Sequence, residues 1–297
     1  MPIRIDEALR AATRILAAAG AQSPRVDAEL LLAHVTGVER GRLIALDGLD
    51  EVATAAFDEL VAARATRVPL QHLTGHAHFG GLELQVGPGV FIPRPETEGL
   101  LAWALSTLPD RPDARPAVVD LCSGSGALAL SIARERPTAA VIAVELSEHA
   151  LIWLRRNSTA QRVAGGRSIT VVGDDATDPA LPQRLDLAGA TDLVVANPPY
   201  VPLTDDLPPE VLDHDPASAL FGGLDGMAVI VPMITVIARL LTDGGRCAVE
   251  HDDTTGAAVI DAFRRHGGFV DIEQHLDLVG HDRFVTARRT GSGALAG

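Results

Sequence analysis

From Ala117 onward the chain alternates short, uniformly apolar runs with helical periods, and this limits the fold more than any other feature. The runs AVVDL (117–121), AVIAVE (140–145) and TDLVVA (191–196) lack the alternation of a half-exposed antiparallel strand. They suit parallel strands covered on both faces. Strands are expected near 117–121, 140–145, 168–172, 191–196, 245–250, 269–276 and 283–288. Helices are expected near 126–136, 147–161, 226–242 and 254–266. The last two strands, joined by Asp277–Asp282, should pair antiparallel at one side. The expected fold class is therefore α/β, with a seven-stranded, mostly parallel, doubly wound sheet of Rossmann-like type.

Residues 1–75 read differently, as a small helical bundle. Ile5, Leu9, Ala12, Ile15 and Leu16 follow helical spacing up to Gly20. Ser23 before Pro24 has the form of an N-cap and a first-turn proline, opening a helix with Val26, Leu30, Leu31 and Val35 that stops at Gly37. A short piece holds Leu43, Ile44 and Leu46, and Asp50 opens a helix with Val52, Ala56, Leu60 and Ala63 on one face. Residues 76–93 form an expected β-hairpin connector, with Phe79, Leu82, Leu84 and Val86 alternating around glycine turns. The α/β domain then covers 94–290, opening on a helix over about 95–108, and the tail 291–297 is expected to be disordered.

Composition excludes several function classes. The net charge of −14 argues against a protein that grips long duplexes through phosphates, and no direct nucleic-acid partner is expected. The two cysteines, Cys122 and Cys247, are far apart and form no CxxC, so neither a disulfide framework nor a zinc site is expected, and the chain suits the reducing cytoplasm. The N-terminus reads as an amphipathic helix, not a leader, and the longest apolar run, Met227 to Ala238, is too short to span a membrane.

The strand AVVDL runs through Cys122-Ser123-Gly124-Ser125-Gly126 into the helix ALALSIARER. Strand, glycine turn and helix together aim backbone N–H groups at a ligand. Gly124, Gly126 and Ala129 also match a dinucleotide fingerprint, and Glu145 ends the next strand, where a ribose-binding acid belongs. That pattern alone leaves three possibilities open: an NAD enzyme, a methyltransferase or an unliganded turn. Asp120 favours the second. A carboxylate there would repel a pyrophosphate and suits a ligand bearing positive charge, such as the ammonium of S-adenosylmethionine; alternatively, Asp120 satisfies the turn's own amides. Asp174, Asp175 and Ala176 follow the third strand, where the adenine end of that cofactor would lie, although acids in such a loop are often plain turn residues.

TDLVVA leads directly into Asn197-Pro198-Pro199-Tyr200. Two prolines after a central strand remove backbone donors and make a rigid corner. The chemistry suits an amide or amine nitrogen as methyl acceptor. An amide nitrogen is a poor nucleophile because its lone pair is delocalised into the carbonyl. The Asn197 side-chain oxygen and the Pro198 carbonyl can accept the two N–H bonds of an NH2 group and hold the nitrogen toward a methyl donor. Tyr200 can cover a planar acceptor with its ring.

With DLCSGSG, Glu145 and NPPY, the chain resembles the class I S-adenosylmethionine-dependent methyltransferases, and NPPY resembles those acting on planar nitrogens. PLQHLTGHAHFGGLEL, VFIPRPETE (Val90 to Glu98) and HDPASALFGGLDGM (His214 to Met227) narrow the resemblance to the HemK-type protein-(glutamine-N5) methyltransferases. It covers nearly the whole chain. It implies methylation of the glutamine of the Gly-Gly-Gln motif in peptide chain release factors, with S-adenosylhomocysteine as product. Cys122 to Gly126, with Asp120, Glu145, Asp175, Ala176 and Asn197, would hold the cofactor. Asn197 to Tyr200 would clasp the glutamine, Phe91, Pro93 and Arg94 would line the same pocket, and the helical bundle would help hold the release factor, with the enzyme a monomer. Two departures stand out: the family's usual first loop glycine is Cys122 here, and Ala176 stands where the family often has a larger residue. A nucleic-acid N-methyltransferase, an NAD dehydrogenase and a non-catalytic adaptor are the competing readings. The acidic balance weighs against the first, Asp120 and NPPY against the second, and the intact Asn197 and Tyr200 against the third.

Overall fold

The computed structural model describes residues 3–111, 113–203, 207, 209–277 and 279–291. Residues 292–297 of the expected disordered tail lie outside this set. The chain forms two compact units. One is the chain up to His76 together with Leu207–His214, and the other is the chain from Ala77 onward apart from that segment.

The helical unit holds α1 (Ile5–Ala18), α2 (Pro24–Thr36) and α3 (Glu51–Ala65), with short helices Leu70–Thr74 and Pro209–Leu212. Leu9, Leu16, Leu31, Leu32, Phe57 and Val61 make its core. Asp50 caps α3 by accepting from the Ala53 amide at 2.8 Å, as its position suggests. Ser23 precedes Pro24 as expected, but its side chain makes no capping bond. The expected face of α3 is also corrected. Val52 is 79% exposed, and Phe57, Val61 and Arg64 turn inward instead. The cause is a buried ion pair, Arg64 Nε to Asp27 Oδ2 at 2.8 Å, which places a charged residue on the inward face. Apolar periodicity cannot see that pairing. Glu210, from the returning segment, completes the cluster with Arg64 and Arg67 at 2.9 and 2.6 Å.

The second unit opens on the hairpin β1 (His76–Phe79) and β2 (Leu82–Gln85), followed by α4 (Glu98–Thr107). The main sheet contains β3 (Ala117–Leu121), β4 (Ala140–Glu145), β5 (Thr170–Gly173), β6 (Thr191–Ala196), β7 (Leu241–Glu250), β8 (Phe269–Leu276) and β9 (Asp282–Arg289). Helices α5 (Ala127–Glu135), α6 (Glu148–Val163), α7 (Ile230–Leu240) and α8 (Gly256–His266) connect them. The strand order is β5-β4-β3-β6-β7-β9-β8. The first five strands are parallel, and β9 runs antiparallel between β7 and β8.

Both faces of the sheet are covered, which is why its strands are apolar throughout. Val119, Leu121 and Val194 face α7 and α8, meeting Met233, Ile237 and Phe263. Val118, Val141 and Val195 face α4, α5 and α6, meeting Leu100, Ile132 and Leu154. Phe79, Leu82 and Leu84 of the hairpin join this second core. The turn after β2 docks on α6. A Cβ on Gly87 would lie 2.5 Å from the Trp153 ring, and Trp153 Nε1 donates to the Pro88 carbonyl at 3.3 Å.

The chain order reverses between β3 and β6. From β3 the chain moves outward to β4 and β5, then returns to the other side of β3 as β6. Such a switch point leaves a crevice beyond the carboxyl ends of the two strands. Leu121 and Ala196 are register partners there, so Cys122 and Asn197 leave the sheet side by side.

Candidate active site

The glycine turn is built on left-handed backbone. Cys122, Gly124 and Gly126 have φ of 59°, 56° and 92°. The two glycines serve different ends. A Cβ on Gly126 would lie 2.6 Å from Leu154, so this position is closed by packing. A Cβ on Gly124 would meet nothing within 4 Å, so its face is open to a ligand. Ser123 N–H bonds the Val144 carbonyl, and Ser123 Oγ donates to the Asp120 carbonyl at 2.8 Å, closing the turn onto the sheet.

Asp120 is buried on β3. Its Oδ2 accepts from the Ala129 amide in the first turn of α5 at 3.1 Å, while Oδ1 is buried without a hydrogen-bond partner. One oxygen thus serves the turn's own helix, as the plainer sequence reading held, and the other is left for a donor. Burial pushes the carboxyl up to about 7. The Ser123 and Ala129 hydrogen bonds oppose the rise, and the Glu145 charge adds to it. Glu145, at the end of β4, accepts from the Gly124 amide at 2.8 Å and from the Ser147 amide at 2.8 Å. Its carboxylate therefore sits against the glycine turn. Asp175 Oδ1 accepts from the amide and hydroxyl of Thr177, and Asp174 is engaged by Arg184 at 2.7 Å. Ala176 is buried in the core beside this loop.

Sequence reasoning missed Asn157. This buried residue of α6 donates from Nδ2 to the Ser125 carbonyl at 2.9 Å and to the Gln85 carbonyl at 3.0 Å, and accepts from the Gln85 amide at 2.7 Å. It ties the glycine turn to the hairpin. A lone Asn amid Arg, Ser and Thr on a helix carries no signal of that role.

NPPY leaves β6 at the other side of the crevice. Asn197 Nδ2 donates to Thr97 Oγ1 at 3.1 Å, and the Tyr200 hydroxyl donates to Glu250 Oε1 at 2.9 Å. Thr97 lies in PRPET and Glu250 ends β7; neither was singled out from the sequence. Their signal was present, since Glu250, like Glu145, is a carboxylate closing an apolar strand at the ligand end of the sheet. Arg94, expected to line the pocket, stacks over Phe91 at 5.1 Å and pairs with the buried Asp215 at 2.5 Å. The FGGLDGM stretch packs backbone to backbone against NPPY. A Cβ on Gly222 would lie 2.7 Å from the Pro199 carbonyl oxygen, and one on Gly226 would overlap the Tyr200 carbonyl oxygen. Thus the three stretches NPPY, VFIPRPETE and HDPASALFGGLDGM, distant in sequence, form one structure. Among the described residues, no cluster of His, Cys, Asp and Glu could hold a metal ion, and no helix is long and apolar enough to cross a membrane.

Residues 7–75 match the family model described as the PrmC N-terminal domain, and residues 83–206 match the methyltransferase small domain. A release factor glutamine methyltransferase of Mycolicibacterium smegmatis is 58% identical, over 96% of this chain and 98% of the relative. Proteins of the same description from Mycobacterium leprae and Streptomyces coelicolor are each 48% identical, over 98% and 94% of this chain and 99% and 95% of the relatives. The chain belongs to the release factor glutamine methyltransferase family. The family's glycine turn and NPPY corner accordingly flank one crevice here, between β3 and β6. Cys122 keeps the left-handed backbone that a glycine in its place would adopt freely.

Proposed function

We propose that this enzyme transfers a methyl group from S-adenosylmethionine to the side-chain amide nitrogen, N5, of the glutamine in the Gly-Gly-Gln motif of peptide chain release factors. The observation that carries this is the Asn197 side chain. Its NH2 is spent on Thr97, so its oxygen is left as an acceptor beside the glycine turn. An acceptor pair made of Asn197 Oδ1 and the Pro198 carbonyl matches a primary amide, whose NH2 offers two N–H bonds. The names of the relatives point to the same substrate class.

The residues present fit the cofactor. Gly124 offers an open backbone face, Glu145 ends β4 where ribose hydroxyls would lie, and the buried Asp120 Oδ1 needs a donor such as an ammonium. Asp120, Cys122, Ser123, Gly124, Ser125, Gly126 and Glu145 would hold it, with Asp175, Ala176 and Asn197 at its adenine and methyl ends. When bound, S-adenosylmethionine supplies an electrophilic methyl on a sulfonium. Asn197 and Pro198 orient the acceptor nitrogen and favour the positive charge that develops on it. Tyr200 covers the amide plane, and Phe91, Pro93 and Arg94 shape the pocket. The nitrogen loses its proton after transfer, so no side-chain base is required. The helical unit helps hold the release factor, and the enzyme works as a cytoplasmic monomer.

The test is the mass of a purified release factor before and after incubation with enzyme and cofactor. One added methyl group on the motif glutamine is expected. A Gln→Glu release factor should react at least ~10⁴-fold more slowly, because a carboxylate has no N–H for the two acceptors. Equal methylation of the Glu variant, or methylation only of nucleic acid, overturns the reading.

A further inference from the structure

Thr97 Oγ1 accepts from Asn197 Nδ2 at 3.1 Å, so the hydroxyl still has its own proton to donate. Thr97 is buried, and the acid beside it is Glu250, itself 1% exposed at the end of β7. The Thr97 and Tyr200 hydroxyls both favour the ionised form of that carboxyl. Tyr200 donates to Oε1, while Oε2 is buried without a second bond of ordinary geometry. A carboxylate can only accept. It therefore draws the Thr97 proton toward itself, leaves the Thr97 lone pair to Asn197, and so fixes which way the Asn197 amide is turned.

We propose that Glu250 is a positioning residue that sets the direction of the Asn197–Thr97–Glu250 hydrogen-bond chain, presenting the Asn197 oxygen rather than its NH2 to the acceptor. This rests on the acceptor being an amide nitrogen, as proposed above. The same carboxylate holds the Tyr200 hydroxyl, so one buried acid orients both side chains of the corner.

The chain has a direction only while Glu250 is ionised. Burial raises its carboxyl to about 7. Thr97, Tyr200 and Arg283 oppose the rise, and Glu96 adds to it. The Tyr200 phenol is pushed well above its ordinary value, mainly by burial and then by the Glu250 charge, so it stays a donor. Once protonated, Glu250 can donate to Thr97. Thr97 can then donate to Asn197 Oδ1, and the Asn197 NH2 turns toward the acceptor, where it opposes another NH2.

The experiment is single-turnover methyl transfer to intact release factor, followed through the pH range around 7, with Glu250→Gln, Thr97→Val and Thr97→Ser. The wild-type rate should rise with pH through the Glu250 midpoint. Glu250→Gln should be slower by about 10- to 100-fold at the plateau, as for loss of an orienting partner. It should also lose that pH midpoint, because an amide can lend its NH2 to Thr97 at any pH. Thr97→Val should be similarly slow, and Thr97→Ser should keep both rate and midpoint. Binding of S-adenosylhomocysteine should be nearly unchanged in all three. A Glu250→Gln enzyme at the wild-type rate, or one keeping the wild-type midpoint, overturns the proposal. Should Glu250→Gln fail to fold, the Thr97 pair decides: Thr97→Val at the rate of Thr97→Ser sinks it. A wild-type enzyme that leaves glutamine unmodified removes the functional reading and this inference with it. One that methylates glutamine while the variants match it removes only the role of Glu250.

Discussion

Arg64 Nη1 lies 2.9 Å from a carboxylate oxygen of Glu210, inside the helical unit, although Glu210 follows NPPY in the chain. Arg64 also holds Asp27, and Arg67 holds Glu210, so two guanidinium groups and two carboxylates share one largely buried cluster. The segment Leu207–His214 therefore belongs to the helical unit by its bonding, not only by proximity.

Removing Arg64 leaves Asp27 buried without its cation. Arg64→Ala should cost about 3–5 kcal/mol of stability in this unit, the usual result of breaking one side of a buried pair. Urea unfolding would measure it, and a loss below about 1 kcal/mol would reduce the cluster to a surface ion pair. Amide exchange in 207–214 should accelerate in the same variant. A truncation meant to isolate the α/β unit should also replace 207–214, because those residues lose their partners when the first 76 are removed.

The parallel strands were legible because uniform apolar runs have one physical explanation, burial on both faces. Residues 117–121, 140–145 and 191–196 form strands with the expected limits. The inward face of α3 was not legible, because Arg64 is inward only through Asp27, which lies on another helix. The glycine turn and NPPY were readable as local motifs. Thr97 and Glu250 were not, since each acquires its role from a side chain far away in sequence.

Asp120 gives a pH dependence with a definite sign. Its folded value of about 7 exceeds the ordinary 3.8, so the native state holds the proton more tightly than the unfolded chain. That contribution to stability is full below 3.8 and is lost as pH rises through about 7. Asp120→Asn should flatten the decline in this window, leaving the share that Glu250 adds in the same direction. A cationic ligand at Oδ1 reverses the shift. Cofactor binding at neutral pH should release roughly 0.5 proton, read by calorimetry in two buffers of different ionisation heat. Proton uptake would contradict the ammonium placement. Asp120→Ala and Glu145→Ala should each weaken S-adenosylhomocysteine by roughly 1–3 kcal/mol.

Cys122 carries a side chain at φ 59°, where glycine is the easier residue. The left-handed backbone costs a non-glycine residue about 1–2 kcal/mol, and glycine returns about 0.5–1 kcal/mol of that through unfolded-state entropy. Cys122→Gly should therefore raise the unfolding free energy by roughly 0.5–1 kcal/mol, while Cys122→Val should lower it. Burial, then the charges of Glu145, Asp120 and Asp175, hold the thiol far above its ordinary value. It should resist alkylation at neutral pH. A Gly variant less stable than the parent would mean that thiol packing outweighs the strain.

Asn197→Ala removes one of the two acceptors for the substrate NH2 and leaves the Pro198 carbonyl. Turnover should fall on the order of 10²–10³, as when one oriented group is lost from other sites. Cofactor affinity should change far less. Near-normal single-turnover rates would mean that something else holds the nitrogen.

Gly226 and Gly244 make a matched pair for the claim that the FGGLDGM stretch shapes NPPY. Both have left-handed backbone, at φ 76° and 81°, so an alanine at either costs about 1–2 kcal/mol for conformation alone. Their surroundings differ. A Cβ at Gly244 meets nothing within 4 Å, whereas one at Gly226 runs into the Tyr200 carbonyl oxygen, which is backbone and cannot swing aside. Gly226→Ala must therefore push the NPPY corner or its own turn out of place. Both variants should show similar stability losses in urea, with somewhat more for Gly226→Ala. Only Gly226→Ala should lose methyl transfer, by at least about tenfold, since displacements near 1 Å at a positioned site can cost ~10²-fold. Its affinity for S-adenosylhomocysteine should stay close to normal, because the glycine turn after β3 is untouched. Equal activity in the two variants would show that the FGGLDGM stretch supports the fold without setting the position of Asn197 and Tyr200.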